Sequence, residues 1–395
     1  MSTYKKNALL LLGSCVFALL LAEFLLRLIG YSHVSFYEPS VCCGTTLIPN
    51  TEGWQRREGE AYVRINSAGI RDREHTIEKP PNTQRIAILG DSYAEALQVP
   101  MAQAFWSVLE RSLTGCQALN GEDVEVINFG VSGYGTAQAL QTLRHKVWPY
   151  HPDIVVLAFV TGNDVRNNSR LLERDGTRPY FVYENGTLVY DDAFLEDPAW
   201  LYRNSAPVRF MNALMNRSRL LQLIYQIKHS DLFRFPAAHA ADRPERPTVF
   251  HEQRLDDTIY RAPATKAWRD AWAVTEGLIE RMNGEIIEHG AEPLLVTLSN
   301  GIQVYPDRGA RRNYMAQVGV DDLFYPDRRL ASLAERLRIP HLMLAPRLRQ
   351  WAEANQTCVH GFANATPCGG HWNATGHRLA GEWIADRICR ARAER

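Results

Sequence analysis

The 395-residue chain lacks the features that mark nucleic-acid-binding, repetitive and metal-binding proteins. Its 44 basic and 44 acidic residues cancel and no run of basic residues stands out, so a nucleic-acid partner is not expected. No internal repeat or low-complexity tract is present, which argues against solenoids and arrays. Histidines and cysteines do not fall at metal-ligand spacings, and we therefore expect neither a metal nor another cofactor.

Basic residues are also scarce around a long apolar segment near the N-terminus. Residues 8–29 are almost continuously apolar, and no Lys or Arg occurs between Arg27 and Arg56. About 22 helical residues span roughly 33 Å, enough to cross a hydrocarbon core of about 30 Å. Because Lys5 and Lys6 precede the segment, the positive-inside bias puts the N-terminus in the cytoplasm and the rest of the chain outside.

Two alternatives to a membrane anchor are a cleaved signal peptide and lipidation of Cys15. A cleaved signal peptide would have a shorter apolar region and a small-residue cleavage site, and neither is evident. A lipoprotein would turn polar after its cysteine, but here the apolar segment continues well past Cys15. Glu23 and Arg27 interrupt the segment, but they lie four residues apart on one helical face and can pair. We expect residues 1–30 to be a cytoplasmic stub and transmembrane anchor, in a bacterial inner-membrane protein whose main domain is periplasmic.

A serine follows a strongly apolar run in the chain. Residues 85–89 predict a buried parallel strand, and Gly90-Asp91-Ser92 comes at its end. Such strands present ligands beyond their carboxyl ends, and the glycine removes side-chain bulk from the approach to the Ser92 hydroxyl. An ordinary strand-to-helix turn capped by Asp91 or Ser92 would have the same sequence.

Three further segments favour catalysis. Two more predicted strands, 124–128 and 153–160, lead into Gly133 and Asn163, and His371 stands close before the last helix. We expect all of these to converge on one edge of a sheet. A serine hydroxyl needs a neighbouring base, and imidazole titrates near neutral pH, so His371 is the candidate. Each residue also has an ordinary structural interpretation when it is taken alone: Gly133 as a turn glycine, Asn163 as an Asx-turn residue and His371 as a histidine at a helix N-terminus.

In that order Ser92, Gly133, Asn163 and His371 resemble the four blocks of the SGNH (GDSL-type) hydrolase superfamily, over most of the chain after about residue 84. The segment 64–74 is similar to membrane-anchored bacterial members. The resemblance implies that Ser92 is the nucleophile and His371 the base of an esterase. It also implies that the backbone N–H groups of Ser92 and Gly133 and the side-chain amide of Asn163 form the oxyanion hole.

The chain departs from this family pattern by lacking an aspartate two or three residues before His371. No acidic residue occurs between Asn355 and His371. Loss of that acid costs roughly 10⁴-fold in turnover in serine–histidine–aspartate enzymes. Three interpretations stay open. A carboxylate from elsewhere, such as Asp164 or an acid of the middle segment, reaches the imidazole; a backbone carbonyl replaces it in a dyad; or the protein has lost its chemistry and only binds glycan.

Cysteine usage fits an exported domain, since only Cys15 of the seven cysteines lies in the apolar segment. Cys358 and Cys368 bracket a short loop directly before His371. In an oxidising compartment a disulfide between them would close that loop. We hypothesise that this staple helps to hold His371 where the family's aspartate would otherwise do so.

Alternating strands and helices predict a three-layer α/β/α sandwich around a central parallel five-stranded sheet, the flavodoxin-like SGNH fold. A fourth and a fifth strand are predicted at 293–299 and 340–344. Gly290 stops a long helix at 265–289. Asn373 begins the last helix, in which we interpret His377 as structural.

The rest of the chain divides around this sandwich. Residues 31–83 are interpreted as a linker and N-terminal extension, and 84–391 as the hydrolase domain with an insertion at about 168–264. Within the insertion, Asn185-Gly186 between alternating residues predicts a β-hairpin. Residues 208–227 have helical apolar spacing, which fits core packing, a lid or a helix on the membrane surface.

The sequence thus predicts a membrane-anchored serine esterase that works through an acyl-serine intermediate, on O-acyl groups of cell-envelope carbohydrate. The substrate is then an acylated small molecule or glycan, and protein partners are not specified. Trp372, beside the candidate base, packs in the core or shapes an acyl or sugar pocket. Two other functions compete: an O-acetyltransferase with the same site, and an inactive glycan-binding partner in an envelope assembly.

Overall fold

A parallel sheet forms the centre of the computed structural model, which describes residues 3–229 and 255–394. The strands, numbered along the chain, are β1 (Tyr37–Ser40), β2 (Gly44–Leu47), β3 (Glu52–Gln55), β4 (Ala61–Arg64), β5 (Thr83–Gly90), β6 (Asp123–Asn128), β7 (Ile154–Val160), β8 (Tyr180–Glu184), β9 (Thr187–Asp191), β10 (Glu292–Leu298) and β11 (His341–Met343). Five of them pair in parallel in the order β11-β10-β7-β5-β6. After β6 the chain crosses to β7 on the other side of β5, so the direction in which strands are added to the sheet reverses there. Flavodoxin-like folds bind ligands beyond the carboxyl ends of the strands at such a reversal.

Helices cover both faces of the sheet. They are α1 (Thr3–Leu28), α2 (Ser92–Glu95), α3 (Phe105–Leu113), α4 (Thr136–Thr142), α5 (Asp164–Asn167), α6 (Arg170–Glu173), α7 (Pro198–Asn204), α8 (Ala206–Arg217), α9 (Arg219–His229), α10 (Lys266–Glu288), α11 (Arg308–Val318), α12 (Tyr325–Leu337), α13 (Leu344–Asn355) and α14 (Ala374–Ala393). Side chains alternate along β5: Ile86 and Ile88 pack with α3, α13 and α14, whereas Ala87 and Leu89 pack with α4, α10 and α12. The predicted α/β/α sandwich with a five-stranded parallel sheet is confirmed.

Residues 31–83, which we interpreted as a linker and N-terminal extension, form hairpins that pack against the rest of the chain. Strands β1 and β2 form one hairpin, and β3 and β4 form another. Along the chain, both hairpins come after the apolar segment and before β5. Their apolar side chains, among them Phe36, Leu47 and Val63, form a separate small core with Tyr134. Because Val63 is fully buried there, the extension is a packed part of the domain.

Helix α1 is long and apolar enough to cross a membrane, with a hydropathy of 2.5 in its most apolar window and no buried residue. Glu23 and Arg27 form the ion pair that their spacing predicts, at 2.8 Å. Glu23 also accepts hydrogen bonds from the Ser218 hydroxyl and from the N–H groups of Arg219 and Leu220, at 2.9–3.0 Å. The carboxylate therefore caps the start of α9.

This cap explains why the predicted helix at 208–227 is two helices. At Ser218 the backbone is extended, with φ −107° and ψ 117°, and the N–H groups released by the break bind Glu23. No residue of α8 is buried, and Phe210 and Met211 are 69% and 53% exposed. The core-packing interpretation is therefore wrong for α8, while a lid or a membrane-surface helix stays a prediction.

The predicted hairpin in the insertion is present as β8 and β9. Asn185 and Gly186 both have positive φ, 49° and 81°, as the tight turn between twisted strands requires. Residues 230–254 of the predicted insertion at 168–264 lie outside the described residues, and the boundaries of that insertion stay a prediction.

Candidate active site

Ser92 lies at the carboxyl end of β5, where the strand turns into α2. The turn needs Gly90, because a Cβ there would lie 2.9 Å from the Ala158 carbonyl oxygen of the neighbouring strand. Asp91 caps the helix by accepting the Tyr93 N–H at 2.9 Å. Ser92 is the first helical residue and is only half-buried, so its hydroxyl stays accessible at the edge of the sheet.

Buried Arg71 fixes the other end of this short helix. Its guanidinium donates to the carbonyl oxygens of Glu95, Ala96 and Val99 at 2.6, 2.5 and 2.6 Å. Burial lowers the pKa of Arg71 to about 10, which leaves the side chain charged at neutral pH. A cation at the C-terminal carbonyls stabilises the helix that carries Ser92.

His371 contacts Ser92 directly, as the sequence led us to expect. The distance from His371 Nε2 to Ser92 Oγ is 2.7 Å, and Gly370, with φ +75°, precedes the histidine. An imidazole nitrogen at this distance can accept the hydroxyl proton as the oxygen attacks a carbonyl carbon. The nucleophile and base proposed from the sequence are therefore within hydrogen-bonding reach.

Glu58, in the turn between β3 and β4, holds the other side of the imidazole. Its Oε2 lies 2.5 Å from His371 Nδ1, and its Oε1 accepts the His371 backbone N–H at 2.8 Å. Burial alone would raise the pKa of Glu58, but the hydrogen bonds and positive charge of His371 outweigh it, and the net pKa lies below its ordinary value. An ionised carboxylate puts the proton on Nδ1 and leaves Nε2 free to accept one from Ser92.

The carboxylate that contacts the imidazole is thus neither Asp164 nor, within the described residues, an acid of the middle segment. Asp164 Oδ2 accepts the Val160 N–H at 2.9 Å, and burial together with the charge of Asp91 raises the Asp164 pKa well above its usual value. Sequence reasoning missed Glu58 because it lies 313 residues before His371 in a segment interpreted as a linker. The Glu-Gly pair between two short strands predicts a hairpin turn, but nothing local shows where that turn points.

Gly133 and Asn163 follow β6 and β7, the two neighbours of β5. Gly133 has φ +80°, and its carbonyl accepts a hydrogen bond from Arg178 at 2.7 Å. Asn163 Nδ2 donates to Asp91 Oδ2 at 3.0 Å, which ties the amide to the residue before Ser92. Asn163 has a second N–H on the same nitrogen, so the bond to Asp91 leaves it one donor.

A second serine–histidine pair lies beneath the first. His360 Nδ1 lies 2.6 Å from the Gly370 carbonyl oxygen, and its Nε2 lies 2.8 Å from Ser299 Oγ, which also accepts the Trp372 indole N–H at 2.9 Å. Burial lowers the pKa of His360 to about 4, so the ring is neutral at physiological pH. Trp372 is fully buried and therefore packs in the core, as the more ordinary interpretation predicted.

His377 is also a buried structural histidine, because its Nδ1 accepts the Phe105 N–H at 3.2 Å. Burial, followed by the nearby charges of Arg71 and His371, lowers its pKa to about 3. An unfolded chain binds this proton near pH 6.5, but the folded chain does not, so stability is lost as the pH falls below 6.5.

We expect wild-type protein to lose about 2 kcal/mol more unfolding free energy than His377→Asn between pH 7.5 and pH 5. Asparagine keeps an acceptor near Nδ1 but does not titrate. Urea unfolding at the two pH values measures the difference, and equal losses in the two proteins would contradict the assignment.

Comparisons with known proteins give remote structural similarity. No family profile and no curated protein matches the chain. The solved structures similar to it include the acetyl xylan esterase AlAXEase (12% identity, TM-score 0.37, covering 78% of this chain and 98% of that one). Others are a putative G-D-S-L lipolytic protein from Desulfitobacterium hafniense DCB-2 (12%, 0.34, 77% and 99%) and a two-domain esterase active on acetylated mannans (12%, 0.37, 79% and 50%).

Proposed function

We propose that this chain is a membrane-anchored SGNH-type serine esterase that forms an acyl-Ser92 intermediate. The observation that carries the proposal is the continuous row of hydrogen bonds from Glu58 through His371 to Ser92, with 2.5 Å and 2.7 Å between the paired atoms. A serine, an imidazole and a carboxylate in this order are the groups that activate a hydroxyl for attack on a carbonyl carbon.

In the proposed reaction Ser92 Oγ attacks the ester carbonyl while His371 Nε2 takes its proton. Glu58 stabilises the imidazolium that forms. The backbone N–H groups of Ser92 and Gly133 and the free amide N–H of Asn163 stabilise the oxyanion, and one such donor contributes on the order of 3–4 kcal/mol. His371 then protonates the departing alcohol, and a water molecule, deprotonated by the same imidazole, releases the acid from Ser92.

We assign the substrate to O-acyl groups of cell-envelope carbohydrate because of where α1 would hold the domain. Lys5 and Lys6 precede α1, which favours a cytoplasmic N-terminus and a periplasmic site. Disulfides join Cys42 to Cys43, Cys116 to Cys389 and Cys358 to Cys368, which fits an oxidising compartment. A site at the membrane surface would meet acylated glycan of the envelope.

The glycan-binding alternative depended on the missing aspartate, and Glu58 takes that place next to His371. An O-acetyltransferase would use the same three residues and differ in excluding water from the acyl-enzyme. The two enzyme activities are separated by asking whether acetate leaves to water or only to a carbohydrate acceptor.

The proposal is tested with the full-length protein in detergent, using 4-nitrophenyl acetate and a fluorophosphonate probe. We expect nitrophenolate release with an initial burst, and one covalent adduct per chain. Acetate released without any acceptor supports the hydrolase, and acceptor-dependent turnover supports the transferase. A protein shown to be folded by circular dichroism that reacts with neither reagent would contradict the proposal.

A further inference from the structure

One short loop contacts both the base of the proposed site and the turn that carries its acid. The loop runs from Cys358 to Cys368, which are joined by a disulfide. On one side its Gly361 N–H donates to the His371 carbonyl oxygen at 2.9 Å. On the other side its Asn364 reaches the turn that carries Glu58.

Asn364 binds the backbone on both sides of Glu58. Its Oδ1 accepts the Gly59 N–H at 2.9 Å, and its Nδ2 donates to the carbonyl oxygens of Arg56 and Gly59 at 3.1 and 2.9 Å. These three bonds hold the backbone two residues before and one residue after the glutamate. One side chain therefore sets the position and direction of the turn.

The glycines around the turn show how closely it is packed. Gly59 has φ +69°, and a Cβ there would lie 2.2 Å from the Gln98 carbonyl oxygen and 2.9 Å from the Phe362 ring of the same loop. A Cβ on Gly370 would lie 2.3 Å from Glu58 Oε1. The turn is thus packed against the loop at Gly59, and the carboxylate lies close to the backbone of Gly370 and His371.

We propose that Asn364 is a positioning residue for Glu58, and that the Cys358–Cys368 disulfide braces the loop that presents it. The inference rests on the proposed function of Ser92, His371 and Glu58. A two-stranded hairpin such as β3–β4 is marginally stable alone, and its turn has to hold a carboxylate within hydrogen-bonding distance of a ring on a distant segment. The loop restrains the turn because it bonds both the His371 backbone and, through Asn364, the backbone next to Glu58.

A double-mutant cycle separates positioning from a general structural role. We expect Asn364→Ala to lower kcat about 10- to 100-fold with little change in KM, because a catalytic group displaced by about 1 Å costs this much. In Glu58→Gln the same alanine substitution should have no further effect, because Asn364 acts through the carboxylate. Additive losses in the double variant, or unchanged kcat in Asn364→Ala, would overturn the proposal.

A second measurement does not need enzymatic activity. NMR titration of the His371 ring should show that it loses its proton at a lower pH in Asn364→Ala, in the same direction as in Glu58→Gln, because the anion that stabilises the imidazolium is displaced. The other titratable groups that face the ring are Asp91, Tyr93, His360 and His377, and these are unchanged. If the titration of His371 shifts in Asn364→Ala but the wild-type protein has no esterase activity, the role of Asn364 stands and the proposed function is rejected. If the titration does not shift, the role of Asn364 is rejected.

The second disulfide, Cys116–Cys389, is a matched control. It closes a separation of 273 residues, against 10 for Cys358–Cys368, so its loss should lower the unfolding midpoint more. We expect the double variant Cys358→Ser/Cys368→Ser to have a lowered kcat, as Asn364→Ala does. The control variant Cys116→Ser/Cys389→Ser should be less stable, but its folded fraction should keep the wild-type kcat. The reverse pattern would overturn the role of the loop. If the control pair fails to fold, the Asn364 cycle still decides.

Discussion

Replacing Ser92 by alanine should abolish the fluorophosphonate adduct and lower ester turnover by about 10⁶-fold, which is the cost of removing the nucleophile from a serine hydrolase such as subtilisin. Its Oγ is the hydroxyl that contacts His371 Nε2, and no other atom of the residue can form the acyl intermediate. His371→Ala should cost nearly as much, and the double variant little more, because the two residues act as a unit. Single-turnover kinetics and intact-protein mass measure both effects.

Two other serines make this prediction specific. Ser67 is an exposed serine that hydrogen-bonds a carboxylate, Glu74, at 2.6 Å, and among the described residues no histidine bonds it, so Ser67→Ala should keep full labelling. Ser299 does bond a histidine, His360, but both are buried and the probe should not reach them. Peptide mapping should therefore find the adduct on Ser92 alone, and an adduct elsewhere in a folded Ser92→Ala protein would refute the assignment.

The parts of the site that the sequence predicted are those whose position follows from local pattern. Ser92, Gly133 and Asn163 each follow an apolar strand, and adjacent parallel strands end at the same edge of a sheet. The strand order β7-β5-β6 then brings these three ends together with no further information. His371 could be placed because it stands just before the last helix, which packs on the same sheet.

Glu58 and Arg71 could not be predicted in this way, because their roles depend on how two hairpins dock. Alternation identifies β4 as a strand, but it says nothing about which part of the domain the turn before it touches. The docking is set by side chains that are distant in sequence, such as Asn364 on the Glu58 turn and the carbonyls of Glu95 and Ala96 around Arg71. The segment interpreted as a linker and N-terminal extension thus supplies the proposed third catalytic group and the cap of α2, the helix that carries Ser92.

Glu58→Gln should lower kcat by about 10⁴-fold, as amide replacement of the acid does in serine–histidine–aspartate enzymes. Glu58 accepts two hydrogen bonds from His371, one from Nδ1 and one from the backbone N–H, but glutamine has only one acceptor oxygen. If that oxygen keeps the backbone bond, its NH₂ group faces Nδ1 and drives the ring proton to Nε2. The ring then donates toward Ser92 and cannot accept the hydroxyl proton.

The same substitution should move the acidic limb of the kcat/KM profile to lower pH. The pKa of Glu58 lies below its ordinary value because its burial is outweighed by its hydrogen bonds to His371 and the charge of that ring, and the ionised carboxylate favours the protonated ring. Removing that charge lets the ring deprotonate at lower pH, although the variant is slow throughout. Glu60, two residues away and paired with Arg56 at 3.1 Å, is the matched control. Glu60→Gln should keep wild-type kcat and profile, and an equal loss in both variants would show that charge on the hairpin, and not contact with His371, controls the rate.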